Sequence, residues 1–330
     1  WRMTGVMIVG CGDIGQRITA LSAERGARLQ GLVVTLAPEA RLTDNRARGL
    51  RTELGSIQPA LDEARQLAAM PDGQTDFQPA PNFLETPLTY DQNARQLARL
   101  LQLDATLRVH DGDADGAIES VRALLNTARS IGDEPTMISQ LVRTAIDSVA
   151  VVTLQRVLAQ GSPSDAALAR LGEEFAREAV APRLLWALRG ERAGLFDMTD
   201  RLASGQMSLQ SLGGPGSGPN AAPLGGLPVD ILSRTFFRHN QATGLKRLTR
   251  AVEIARMPYH VQAPCWASWE KEMDYKNKGR LEQMSNMLVY LMLPALSAAA
   301  RAEQRTTCVL ESAAVMVACE RFRRTEGRWP

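Results

Sequence analysis

From about residue 43 onward, apolar residues recur every three or four positions, the spacing that places them on one face of an α-helix. Residues 45–70 carry Leu50, Leu54, Ile57, Leu61 and Ala64; Pro59 marks a kink or restart, and Pro71, Asp72 and Gly73 stop the segment. Residues 76–87, with Pro79, Pro81 and Pro87, read as a loop or extended stretch. Leu97, Leu100, Leu103 and Leu107 make a stripe within 88–110, and Ile118, Val121, Leu125 and Ala128 make another within 117–131. Two such helices joined by six residues predict an antiparallel hairpin. Ile138, Val142, Ala145, Val149 and Val152 follow in alternating steps of four and three and predict a long buried helix over 137–160. The next helix, to about 180, is expected to start at Ser162, whose hydroxyl can accept a free backbone N–H; Pro163 suits the first turn and Asp165 faces the positive end of the dipole. Further helices are expected at 182–203, 229–257, 266–275 and 279–326, the last broken near Pro294.

The front of the chain carries a different pattern. Residues 6–9 are a short apolar strand, 13–25 a helix with Ile14, Ile18 and Leu21 on one face, Gly26 its stop, and 29–36 a second strand. Between the first strand and the helix lies Gly10-x-Gly12-x-x-Gly15, a dinucleotide-binding fingerprint in its required context. The first glycine permits the tight turn, the second lets a pyrophosphate approach the backbone, and the third lets helix pack on strand. The second strand has no acidic residue at its tip to bind ribose hydroxyls, and no third strand follows. Residues 3–42 resemble the opening of extended short-chain dehydrogenase/epimerase proteins. That resemblance implies NAD or NADP as cofactor, but the family's Tyr-x-x-x-Lys pair is missing: Tyr90, Tyr259, Tyr275 and Tyr290 are followed four residues later by Ala94, Ala263, Gly279 and Pro294.

Other candidate chemistry reduces to structure. Asp111, Asp113, Asp115 and Gly116 imitate the first half of a calcium loop, but Arg122 stands where a bidentate glutamate is needed, which leaves a hairpin turn with capping aspartates. The glycines of 213–218 precede no Lys-Ser/Thr, so they form no phosphate loop. His110, His239 and His260 show no zinc-binding spacing, and no Gly-x-Ser-x-Gly elbow occurs. Cys11, Cys265, Cys308 and Cys319 never form a Cys-x-x-Cys pair and read as free thiols. Arg189, Glu191 and Arg192 are expected to join an internal ion-pair network. A net charge of +2 over 330 residues gives no long-range field to recruit nucleic acid or anionic lipid. Lysine occurs only at Lys246, Lys271, Lys276 and Lys278. No uncharged apolar run reaches the length of a bilayer span; the longest candidate, 284–300, is interrupted by Pro294, so no transmembrane segment and a soluble chain are expected.

From about residue 42 to the end the chain resembles a family of functionally uncharacterised helical proteins of planctomycete-type bacteria. The segments that carry the likeness are 111–135 (DGDADGAIESVRALLNTARSIGDEP), 138–143 (ISQLVR), 188–194 (LRGERAG) and 320–330 (ERFRRTEGRWP). The first also resembles the second helix of a tetratricopeptide unit. The resemblance brings no catalytic residues; it implies a full-length form that begins with an anchor or signal segment and continues past residue 330, so a fragment is expected.

The fold expected from these signals is mainly α: stacked helical hairpins, tetratricopeptide-like or an irregular bundle, with a small N-terminal β-α-β element. The expected organisation is a nucleotide-fold-like element over 1–41, a helical domain over 42–210, a Gly/Pro-rich linker over 211–228 and a C-terminal helical segment over 229–330. The expected function is a non-catalytic interaction or scaffold protein with a protein partner, no nucleic acid and no cofactor. The alternative is an NAD(P)-dependent oxidoreductase or epimerase that uses Gly10, Gly12 and Gly15.

Overall fold

The structure is a computed structural model that describes residues 36–75, 77–207, 234–293 and 295–330. The described residues are mainly helical and contain no strand. In chain order the helices are α1 (Asp44–Gly55), α2 (Gln58–Gln66), α3 (Thr89–His110), α4 (Ala114–Arg129), α5 (Met137–Gln160), α6 (Asp165–Ala179) and α7 (Arg183–Ser204). Then come α8 (Arg234–Ala255), α9 (Tyr259–Met273), α10 (Arg280–Ser285), α11 (Met287–Met292) and α12 (Leu296–Glu326). The expected β-α-β element and the 211–228 stretch lie outside the described residues, apart from positions 36–41.

Side-chain oxygens set the helix starts. Thr43, Asp113 and Thr136 accept from the backbone N–H of Arg46, Gly116 and Ser139 and so cap α1, α4 and α5. Pro59 falls in the first turn of α2 and restarts the helix. The α6 start differs from expectation. Ser164, not Ser162, is the cap, accepting from Ala167 N–H at 3.2 Å, because the Ser164 N–H is itself fixed by the Asp115 carboxylate at 2.5 Å. The aspartates of 111–116 behave as turn and cap residues, with Asp111 paired to Arg51. Helix α9 begins at Tyr259, earlier than expected, and runs through Pro264 at the loss of one backbone hydrogen bond. Gly205 and Gly327 end α7 and α12 with φ of +76° and +69°, the left-handed conformation that favours glycine.

The helices bury two apolar clusters. One is built from α1 to α6, with Leu101, Ile118, Leu125, Leu154, Leu171 and Phe175 among its members. The other is built from α7 to α11, around Leu188, Leu248, Trp266, Trp269 and Leu288. Helix α12 belongs to both: Leu296 and Ala300 enter the second, Leu310, Ala313 and Val317 the first. It packs chiefly on α6 and α5, so helices from both sides of 208–233 share one core.

Helix α5 is the one described helix long and apolar enough to cross a membrane, and it is the central core helix, in contact with α3, α4, α7 and α12. Its orientation departs from expectation. Ile138, Ala145 and Val152, three members of the expected apolar stripe, face outward, while Arg143, Asp147, Thr144 and Arg156 are buried. Val142, Ile146, Ala150, Leu154 and Val157 face inward beside Arg143 and Asp147, so the buried face is an apolar stripe in steps of four and three, rotated from the expected one and completed by polar partners in the interior. Arg156 and Gln160 at its end donate to the carbonyls of Leu36, Ala37, Pro38 and Ala40, which holds the chain leading into α1.

Close packing of α7 depends on glycine. A Cβ added at Gly190 would lie 1.7 Å from the Pro135 carbonyl oxygen, and one at Gly194 would meet the Phe83 ring. Gly190→Ala is therefore expected to lower stability by about 1–3 kcal/mol through overpacking. Urea unfolding followed by far-UV circular dichroism checks this; an unchanged midpoint would contradict the packing described.

Candidate functional site

The densest polar chemistry lies inside the protein, where α4, α5, α6, α7 and α12 meet. Glu178, at the C-terminal end of α6, accepts from Arg129 Nε at 3.0 Å, from Arg143 Nε at 2.8 Å and from an Arg183 terminal nitrogen at 3.0 Å. Arg183, fully buried at the start of α7, also donates from Nε to both oxygens of Glu303 on α12, at 3.0 and 3.1 Å. Glu303 takes a further hydrogen bond from the Thr144 hydroxyl at 3.2 Å. Three guanidinium groups thus face three carboxylates, the third being Asp147 on α5, also fully buried and 3.5 Å from Arg183. Removing such charges from water is costly unless each is paired and hydrogen-bonded.

Asp147 is the exception in that network, since neither of its oxygens accepts a hydrogen bond. Burial, reinforced by the nearby Glu178 carboxylate, pushes its pKa well above the ordinary range against the pull of Arg183 and Arg143. Burial also works against the Arg183 charge, but Asp147, Glu303 and Glu178 outweigh it and hold that guanidinium charged.

A cleft of about 280 Å³ opens beside the network, lined by Asp72, Gln74, Arg129, Arg143, Arg177 and Trp186 among others. Its cations are all engaged. Arg129 binds Glu178, Asn126 and the Glu174 carbonyl; Arg143 binds Glu178 and the Gly132 carbonyl and lies over the Trp186 ring at 5.6 Å; Arg177 pairs with Asp72. Among the described residues no histidine, cysteine or serine lines the cleft, and its charged groups tie α4, α5 and α6 to one another.

The sequence-expected site residues fall as follows. Gly10, Gly12 and Gly15 lie outside the described residues. Among the described residues no three His, Cys, Asp or Glu side chains are grouped to hold a metal ion. Glu191 accepts from the Met137 N–H at 2.8 Å, at the start of α5, and burial raises its pKa; Arg192 donates to Thr249. The internal ion network is built from Arg129, Arg143, Arg183, Glu178, Glu303 and Asp147, not from the expected Arg189, Glu191 and Arg192. The available signal was a pair of opposite charges, Arg143 and Asp147, four apart on α5.

On the surface, the longest helix presents an apolar line. Cys308, Ser312, Val315, Cys319 and Phe322 follow one another on α12 in steps of four and three, opposite the face that buries Leu310, Ala313 and Val317. Val315 is 61% exposed, and Cys308, Ser312 and Phe322 are also exposed. The line lies between exposed Arg305 and Glu326. Such spacing is the seam by which one helix packs along another.

No family model matches the chain, and neither does any curated protein or solved structure.

The ion network yields a test in two substitutions. Glu178→Gln leaves three buried guanidiniums short of their shared carboxylate and is expected to cost about 3–5 kcal/mol. Asp147→Asn is expected to be neutral or stabilising at neutral pH. A carboxyl whose folded pKa is raised favours folding below its ordinary value of about 4 and loses that contribution as pH rises toward the folded pKa. The advantage of Asp147→Asn over the parent should therefore grow from acid to neutral pH. Denaturant midpoints measured across that range check the sign; a deficit for Asp147→Asn that grows with pH would refute it.

Proposed function

We propose that this chain is a non-catalytic helical interaction or scaffold protein, built of stacked hairpins in the manner of tetratricopeptide-like proteins, that docks a partner protein's helix along α12. The observation that carries the reading is the exposed line Cys308, Ser312, Val315, Cys319 and Phe322 on the outer face of the longest helix. The adjacent hairpins supply a rigid backing, since the inner face of the same helix is locked to α5 and α6. A photo-cross-linker at Ser312 is expected to give discrete cross-linked species, with a second copy or with another protein of the host. Val315→Asp together with Phe322→Asp should abolish them without lowering helix content. A chain that stays uncross-linked both in isolation and in host extract would overturn the reading.

The Gly10-x-Gly12-x-x-Gly15 fingerprint favours a second reading, an NAD(P)-dependent oxidoreductase or epimerase. It requires micromolar cofactor binding that is lost when Gly12 is replaced by a bulky residue. Titration calorimetry with NAD and with NADP checks this, and the absence of heat with both at millimolar concentration removes it.

A further inference from the structure

Three of the chain's four lysines fall within the eight residues 271–278, and Arg280 follows. The acidic side chains of the same stretch are already engaged. Glu270 pairs with Arg301 at 2.9 Å, Glu272 with Arg247 and Arg250, and Glu282 with Lys278 at 3.7 Å. Asp274 caps its own turn, accepting from the Lys276 N–H at 3.1 Å and from Asn277. Lys271, Lys276 and Arg280 are exposed and enter no ion pair among the described residues, so the segment presents a local positive surface that the net charge of the whole chain conceals.

The same segment also projects apolar side chains into solvent. Leu281 is 86% exposed, and Met284 and Leu291 are each 54% exposed, on α10 and α11. Tyr275, exposed as well, packs edge-on against Tyr290, and Gln283 donates to the carbonyls of Tyr275 and Lys278. Turn and helices are thus one braced edge, not a loose loop. Behind it Trp269 is fully buried and Leu288 and Val289 are nearly so, which gives the edge a rigid base.

We infer that this edge adsorbs to an anionic lipid bilayer, with Leu281, Met284 and Leu291 entering the interface and Lys271, Lys276 and Arg280 meeting lipid phosphates. A bilayer fits better than a peptide because Leu281, Met284 and Leu291 protrude and do not line the neighbouring cleft of about 600 Å³, whose wall includes Lys271, Tyr275 and Lys276; protruding apolar side chains near long cationic ones are the composition of interfacial binding elements. The cations alone would give a weak, salt-sensitive attraction, and the apolar side chains alone would not distinguish anionic from neutral lipid. The site is separate from the α12 seam and does not depend on it.

Co-sedimentation of the full chain with vesicles tests this. Binding is expected to vesicles of phosphatidylcholine mixed with phosphatidylserine, to fall as salt rises, and to be absent with phosphatidylcholine alone. Each of Lys271→Gln, Lys276→Gln and Arg280→Gln should weaken binding about fivefold. Leu281→Asp with Met284→Asp should abolish it, and the exposure of these side chains lets the variants keep the parent's thermal midpoint. No binding to either vesicle overturns the inference, as does equal binding to both or parent-like binding by the substituted chains. Retention on immobilised polyglutamate without vesicle binding would assign the edge to an acidic protein and also overturn it.

Discussion

The fold rests on a buried exchange of charge. Arg183 cannot enter an apolar interior unless Glu178 and Glu303 arrive with it, and those groups come from α6 and α12. Its position gives the exchange its weight. Glu303 lies on α12 between Ala300, which belongs to one apolar cluster, and Leu310, which belongs to the other. The ion network therefore occupies the junction of the two clusters, where unpaired charge would be most costly and where relative sliding of the helices would break several charge-assisted hydrogen bonds together. Apolar packing alone tolerates many rotations of a helix about its axis. A guanidinium held at Nε and at a terminal nitrogen by different helices tolerates few.

That constraint explains which parts of the structure were legible in the sequence. Helices were legible because apolar residues recur at three and four; Pro59 and the aspartates of 111–116 marked helix starts, whereas the Thr43 and Thr136 caps and the starts of α6 and α9 emerged only in the structure. The inward face of α5 was not legible. A pattern of Ile138, Val142, Ala145, Val149 and Val152 assigns the core by apolarity, but Arg143 and Asp147 face inward to Glu178 and Arg183 on later helices, and Ile138, Ala145 and Val152 turn to the surface. The chain offers two overlapping apolar stripes on this helix, and only the second, Val142, Ile146, Ala150, Leu154 and Val157, is buried; the position of Arg143 and Asp147 beside it is fixed by the charges that meet them in space. The α6 cap shows the same effect at smaller scale. Ser162 and Ser164 are both competent caps, and Asp115, from the preceding hairpin, decides between them.

The candidate surfaces were legible to a lesser degree. The presence of Cys308 and Cys319 in one helix was readable from the sequence, yet their common outward face required knowing that Leu310, Ala313 and Val317 point to α5 and α6. Whole-chain charge likewise obscured the cationic edge. The carboxylates interspersed among Lys271, Lys276 and Arg280 cancel them in any count, but Arg247, Arg250 and Arg301 from α8 and α12 engage Glu272 and Glu270 in space. Charge that is balanced along the chain is unbalanced on the surface.

The two exposed surfaces are mechanically connected through α12. Its first turns pack in the cluster that underlies α10 and α11, its later turns pack in the other cluster and carry the Cys308–Phe322 line, and Glu303 pins the middle to Arg183. The outer line thus belongs to a helix whose Glu303 shares a hydrogen-bonded ion network with α5, α6 and α7. Side chains on those exposed faces can change singly, while the buried charges that fix the helices resist such change because each serves several partners.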